Sequence, residues 1–137
     1  MAFEESPDTF YQRFSSYAVP VELLPQPYGY PLLEALTPIG VIYAFDRGAP
    51  PTPIGRADVL FAATAASFRY RSSRPQLEQL PGGRARLTGK VRERLGTDAF
   101  LFDVGIPLVL NSSEPLEVGA ALEVLTAPVL MAFPGDV

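Results

Sequence analysis

A row of cations is the part of this sequence whose residue types and spacing could bind a ligand. Arg84, Arg86, Lys90, Arg92 and Arg94 all occupy even positions in one short stretch. Because successive side chains of a β-strand point to opposite faces, a strand here presents its cations on one side, about 6.6–7 Å apart. Such a row can follow a polyanion and neutralise its phosphates, and arginine can also stack on a base.

Two further arginines extend this row if the segment before it is also a strand. Arg69 and Arg71 alternate with Phe68 and Tyr70, so a strand places the cations on one face and the aromatic rings in the core. The opposite face of the cation row holds small apolar residues and Glu93. The sequence therefore predicts strands that are basic on the outside and apolar on the inside.

Two tyrosines in a proline-rich segment are candidate stacking residues. Tyr28 and Tyr30 stand between Pro25 and Pro31, and the prolines favour a loop there. Exposed loop tyrosines can stack on bases or anchor a partner. The alternative is that both rings fold back onto the rest of the protein, as loop aromatics commonly do.

The charge of the chain is distributed unevenly over three segments. Residues 1–68 contain three basic and seven acidic residues, and residues 69–94 contain eight basic and two acidic residues. Residues 95–137 contain six acidic residues and no basic one, which gives the formal net charge of −4. The basic middle segment favours an anionic partner. Two alternatives stay open: exposed sheet faces and edges are commonly charged, and the acidic last segment could neutralise the cations across strands or in a homo-oligomer.

The residue types present exclude most catalytic designs. The chain contains no Cys and no His, which excludes thiol catalysis, a Ser-His-Asp triad and a zinc site built from these residues. Asp98 and Asp103 lack the spacing of a metal site. Lys90 is the one lysine of the sequence, and on an exposed strand it is expected to be solvated and protonated rather than activated. We therefore expect a protein that is not an enzyme and has no cofactor or metal.

A short amphipathic helix is predicted near the start of the chain, over residues 7–17. Ser6 can cap it, Pro7 suits the first helical position, and Asp8 suits the positive end of the helix dipole. A further helical turn is expected at residues 32–36.

The rest of the chain is predicted to be mostly β-strand, in a single domain. Residues 1–35 form the helix and a proline-rich arm, and residues 36–137 form a barrel-like body. An N-terminal hairpin is predicted from strands at 39–45 and 58–71, because both are rich in β-branched or aromatic residues. The alanine-rich run at 62–66 is also compatible with a helix.

The C-terminal half predicts a small antiparallel β-barrel. Short strands separated by turn signals are typical of barrels and sandwiches, and the predicted strands are 84–95, 99–104, 107–110, 121–126 and 129–133. The first of them is long and has a central glycine, Gly89, at which a curled strand can bend. Five strands with a long, bent first one resemble an OB-fold over about the last 50 residues, although the segment at 111–120 leaves little room for the helix often found there.

These features together predict a non-catalytic protein that binds single-stranded DNA or RNA through the basic strand. The alternative is a protein-interaction or self-assembly module whose basic strand meets an acidic surface, including that of a second copy. In that case the apolar run at 127–134 is a candidate contact if it is exposed. The N-terminus lacks the pattern of a signal peptide, and no apolar run reaches membrane-spanning length, so we expect a cytoplasmic protein without membrane contact.

Overall fold

The chain forms mostly β-structure with one short helix, seen in a computed structural model that describes residues 6–27, 31–48 and 52–135. The elements within these residues are α1 (Pro7–Phe14), β1 (Val19–Leu23), β2 (Leu32–Thr37), β3 (Gly40–Asp46), β4 (Gly55–Tyr70), β5 (Gln76–Gln79), β6 (Ala85–Arg94), β7 (Ala99–Asp103), β8 (Pro107–Asn111), β9 (Ala121–Thr126) and β10 (Met131–Pro134). Short 3-10 turns lie at Ser15–Tyr17 and Pro81–Gly83.

The helix α1 begins where its capping residues predict. The Ser6 hydroxyl accepts a hydrogen bond from the Thr9 backbone N–H at 3.2 Å, and Pro7 occupies the first turn. Phe10 and Phe14 are buried, and the Phe10 ring stacks on Phe133 at 4.4 Å between centroids. The predicted helix is thus confirmed as α1 followed by a 3-10 turn. In the described part of the chain no helix is long and apolar enough to cross a membrane.

Five strands close into a β-barrel in the C-terminal half, which we call ring two. Its strands pair in the order β6, β7, β8, β4, β9 and back to β6. The prediction of a small barrel is therefore confirmed, but two of its details are wrong. The barrel is not wholly antiparallel, because β4 runs parallel to β8. Its fifth strand is the second half of β4 rather than the predicted strand at 129–133, because β4 is 16 residues long and reaches into this ring.

A second closed ring of pairings, ring one, uses the first half of β4. Its order is β1, β2, β3, β10, β4 and back to β1, with β10 parallel to β3. The predicted strands at 39–45 and 58–71 both exist, but they do not form a hairpin with each other because β10 lies between them. The hairpin that does form joins β2 and β3. The helical turn expected at 32–36 is wrong, since Leu33 and Ala35 alternate inward along strand β2.

The alanine-rich run at 62–66, whose sequence is compatible with either a strand or a helix, belongs to the long strand β4. Val59, Phe61 and Ala63 belong to the large core inside the rings. Leu60 and Ala62 belong to a second cluster that also contains Phe10, Phe14 and Phe133. The helix α1 therefore covers the outer face of the middle of β4, so both faces of the segment 59–63 are buried and its apolar residues form an unbroken run.

Candidate nucleic-acid interface

Strand β6 has the two-sided character that its alternation predicts. The inward positions Ala85, Leu87, Gly89 and Val91 are buried, and the cations at the outward positions are exposed: Arg86, Lys90, Arg92 and Arg94. Arg84 is also exposed, directly before the strand. Thr88 is the exception, because it points outward by parity yet is only 6% exposed.

Two details of the backbone shape this strand. A Cβ atom added at Gly89 would overlap the backbone carbonyl oxygen of Asp103, so only glycine allows the approach of β7 at this point. The register with β7 shifts between Val91 and Glu93, which marks a bulge. Beyond the bulge, Glu93 is exposed and accepts a hydrogen bond from the Tyr17 hydroxyl at 2.9 Å. That hydrogen bond, together with burial and the negative charge of Glu93, raises the pKa of Tyr17.

The neighbouring strands extend the exposed face of β6 into a patch. Strand β9 lies between β4 and β6, with Glu123 in register with Arg69 on one side and with Thr88 on the other. Residues directly opposite one another share a face of a sheet, so Arg69 and Arg71 join the cations of β6 on one surface. We call the set Arg69, Arg71, Arg86 and Lys90, with Glu123 at its centre, the basic patch.

Glu123 holds the two arginines of β4 in ion pairs. Its Oε1 accepts from Arg69 Nε at 2.9 Å and lies 2.9 Å from Arg69 Nη2, and its Oε2 accepts from Arg71 Nη1 at 2.6 Å. The Glu123 side chain is 13% exposed, whereas the side chains of Arg69 and Arg71 are 66% and 50% exposed. Burial by itself raises the pKa of the Glu123 carboxyl, but the hydrogen bond from Arg71 and the charges of both arginines outweigh it and lower the pKa.

Two further arginines of β6 have carboxylate partners. Arg86 Nη1 donates to Glu78 Oε1 at 2.7 Å, and both side chains are nearly half exposed. Arg92 donates through Nε and Nη2 to Asp103 Oδ2 at 3.1 and 3.0 Å. Exposed pairs of this kind contribute about 0–1 kcal/mol to stability. The carboxylates therefore orient Arg86 and Arg92 but bind them only weakly.

The partners of these arginines agree with one alternative that the sequence left open. Glu123 and Asp103 belong to the acidic segment 95–137, which therefore neutralises part of the basic segment across strands. Both carboxylates were missed as components of the candidate site. The alternation of Leu122 and Val124 around Glu123 is the sequence signal that could have placed this carboxylate on the outer face.

Positive charge remains after these pairs are counted. Lys90 and Arg84 have no ion-pair partner within the residues that the structure describes. Arg94 donates to the backbone carbonyl oxygens of Gly96 and Thr97 at 2.9 and 3.2 Å, so its charge also stays uncompensated by a carboxylate there. Within the described residues, four of the eight cations of residues 69–94 form ion pairs, with the three carboxylates of Glu78, Asp103 and Glu123. The surface is therefore still basic.

The aromatic residues next to the patch have different environments. Phe68 packs against the core, as predicted, but Tyr70 is 67% exposed and the prediction that it is a core residue is wrong. Its ring lies near that of Phe68, with centroids 6.5 Å apart, on the side of β4 opposite to Arg69. Tyr70 is the last residue of β4, so the ring of strands does not extend far enough to cover it. Tyr28 and Tyr30 lie outside the described residues.

The outer face of ring one carries exposed apolar side chains beside a groove with two carboxylates and one arginine. Exposed hydrophobic residues from β2, β3 and the turn between them form a row that we call the apolar row: Leu36, Ile39, Val41, Tyr43 and Phe45. An open groove of about 690 Å³ adjoins it and is lined in part by Glu22, Arg56 and Asp58. The C-terminal run at 127–134 does not join this surface as a contact, because Leu130, Ala132 and Phe133 in it are buried.

Comparison with known proteins identifies no relative of this chain. No protein-family model, no curated protein and no solved structure matches the chain. In the described ranges no group of three or more acidic residues is placed to hold a metal ion. The geometry and charge of the two rings are therefore the basis for a functional proposal.

Proposed function

We propose that this chain is a non-catalytic protein that binds single-stranded nucleic acid through the outer face of β6 in ring two. The observation that carries the proposal is the uncompensated charge of Lys90 and Arg84, beside arginines that the strand pairing gathers on one surface. Cations spaced along a strand suit an extended, flexible polyanion, whose backbone can adjust to them. Arg92 and Arg94 continue the surface toward the turn after β6.

We also propose that ring two is a rearranged OB-like barrel. Strand β6 is long, with Gly89 near its centre and a bulge between Val91 and Glu93, and four of the five strands follow one another along the chain. The rearrangement is that β4, which precedes the other four, fills the fifth position. OB-folds bind oligonucleotides among other ligands, which supports a nucleic-acid partner at the level of the fold alone.

A direct binding experiment tests the proposal. Fluorescein-labelled oligo(dT) and oligo(U) are titrated with the protein at several salt concentrations, and anisotropy reports the bound fraction. We expect affinity that falls steeply with salt, and a slope that decreases by about 0.7 for each phosphate contact removed. Lys90→Gln and Arg84→Gln should each produce that decrease.

Arg56→Gln is the matched control for these variants. Arg56 is an exposed arginine without an ion-pair partner in the described residues, but it lies on ring one, away from the patch. Its loss should leave the salt slope unchanged. Absence of binding to either oligonucleotide at low salt would sink the proposal, and comparison of the two probes distinguishes DNA from RNA as the preferred partner.

A second candidate function is self-assembly, which the apolar row favours. Val41, Tyr43 and Phe45 are each 37–46% exposed on one face of β3, which is unusual for three successive outward positions of a strand. The carboxylates of Glu22 and Asp58 lie in the adjoining groove. In this candidate, the basic patch of a second copy of the chain meets these carboxylates, so that opposite charges are complemented, and the same contact covers the adjoining apolar row.

A further inference from the structure

We infer that Arg69 and Arg71 form a phosphate-binding pair whose resident ligand is the Glu123 carboxylate, so that Glu123 gates the nucleic-acid surface. The inference rests on the proposed function and goes beyond it by assigning a competitor inside the chain. Both oxygens of Glu123 are engaged, one by each arginine, at 2.9 and 2.6 Å. A phosphate group offers oxygens with the same acceptor chemistry and a full negative charge, and guanidinium groups fork onto it readily.

The side chains of Arg69 and Arg71 are accessible to solvent, although their anionic partner, Glu123, belongs to the same chain. Both arginine side chains are at least half exposed, whereas Glu123 is nearly covered. Incoming phosphates therefore reach the guanidinium groups from solvent and exchange for the carboxylate. Because Glu123 is tethered on β9 between its two partners and β6, it competes at a high effective concentration.

The position of Glu123 makes it a gate for the whole patch. It is opposite Thr88, and Arg86 and Lys90 lie two residues to either side of Thr88 on β6. An oligonucleotide that crosses from β6 to β4 must therefore pass the carboxylate. While Glu123 stays between the two arginines, the phosphate backbone of the oligonucleotide is restricted to the β6 side of the basic patch.

The test compares two substitutions of Glu123: one removes its negative charge, and the other keeps the charge but releases an arginine from the carboxylate. Glu123→Gln removes the charge, and Glu123→Asp keeps it but is one methylene shorter, so it cannot span both arginines. We expect both variants to bind labelled oligo(dT) more tightly than the unchanged protein, by about tenfold for Glu123→Gln at low salt, with a salt slope steeper by about 1.4 for two added contacts. Unfolding midpoints in urea confirm that each variant is folded.

The control is Glu117→Gln, which changes the net charge equally. Glu117 is exposed, has no ion-pair partner in the described residues, and stands close to β6, since Gly119 donates its N–H to the Val91 carbonyl at 2.7 Å. An equal gain from Glu117→Gln and Glu123→Gln, or a gain that persists in an Arg69→Gln/Arg71→Gln background, overturns the gate and leaves the proposed function standing. Absence of oligonucleotide binding by the protein and by every variant overturns gate and function together.

Discussion

At the scale of single residues, the charge of this surface depends on which arginines have a carboxylate partner. The sequence shows cations in a row, but the structure divides them into paired ones, such as Arg86 and Arg92, and uncompensated ones, such as Lys90 and Arg84. Each carboxylate lies on the strand next to its arginine, but register alone does not decide the division, because Lys90 is in register with Asp103 and the Asp103 carboxylate binds Arg92 instead. A substitution at a paired arginine therefore exposes a carboxylate as well as removing a cation.

The titration of Glu123 gives a prediction at this scale. Its carboxyl has a lowered pKa because the arginines outweigh the effect of burial. A lowered pKa in the folded state means that this carboxylate stabilises the fold above its unfolded pKa, and that the contribution is lost as the pH falls through the folded pKa. In an Arg69→Gln/Arg71→Gln variant the two charges and the Arg71 hydrogen bond that lower the pKa of Glu123 are lost, so its pKa should rise.

Carbon-detected NMR titration of the side-chain carboxyl measures this change directly. A Glu123 pKa that does not move when the arginines are replaced would show that the ion pairs seen in the structure are not populated in solution.

At the scale of the elements, local patterns predicted the strands and could not predict their partners. The alternation of cations with Ala85, Leu87 and Val91 is a property of β6 alone, so it was visible in the sequence. The neighbour of a strand depends on distant segments: β4 serves both rings only because it is 16 residues long, and β10 leaves the C-terminal strands to pair with β3 and β4. For the same reason, the sequence did not identify Glu123 as part of the candidate site. Its role depends on its position between β4 and β6, which are far from β9 in the sequence.

The close approach of β7 to Gly89 of β6 provides a prediction for this element. Gly89→Ala places a Cβ against the Asp103 carbonyl oxygen, and backbone cannot move aside as a flexible side chain can. We expect the free energy of unfolding to fall by about 3 kcal/mol, the upper end of the usual cost of overpacking. Urea denaturation followed by tyrosine fluorescence measures it.

Gly96→Ala is the control for this substitution. A Cβ at Gly96 would lie 3.4 Å from the Arg13 guanidinium and 3.9 Å from the Ala99 Cβ, both ordinary contacts. The control should change stability by less than about 1 kcal/mol. Equal stability of the two variants would mean that β7 does not approach β6 as closely as the structure shows.

At the scale of the whole molecule, two rings that share one strand carry surfaces of opposite character. Ring two presents the basic patch, and ring one presents the apolar row beside the carboxylates of Glu22 and Asp58. A contact between unlike surfaces of identical chains either repeats head to tail, which gives closed rings or open filaments, or occurs twice about a two-fold axis in a dimer. Nucleic acid and a second copy would compete for the same patch, so oligo(dT) should dissociate any assembly that uses it.

Light scattering over a range of protein and salt concentrations tests this arrangement. If the second candidate function holds, the mass rises with protein concentration and falls when salt screens the charged part of the contact. Val41→Ser should lower the mass because it interrupts the apolar row, whereas Val118→Ser should not, since Val118 is 55% exposed but lies in the loop between β8 and β9. A monomeric mass at every concentration, or equal effects of the two valine substitutions, would contradict self-assembly through ring one and leave nucleic-acid binding as the function that the basic patch supports.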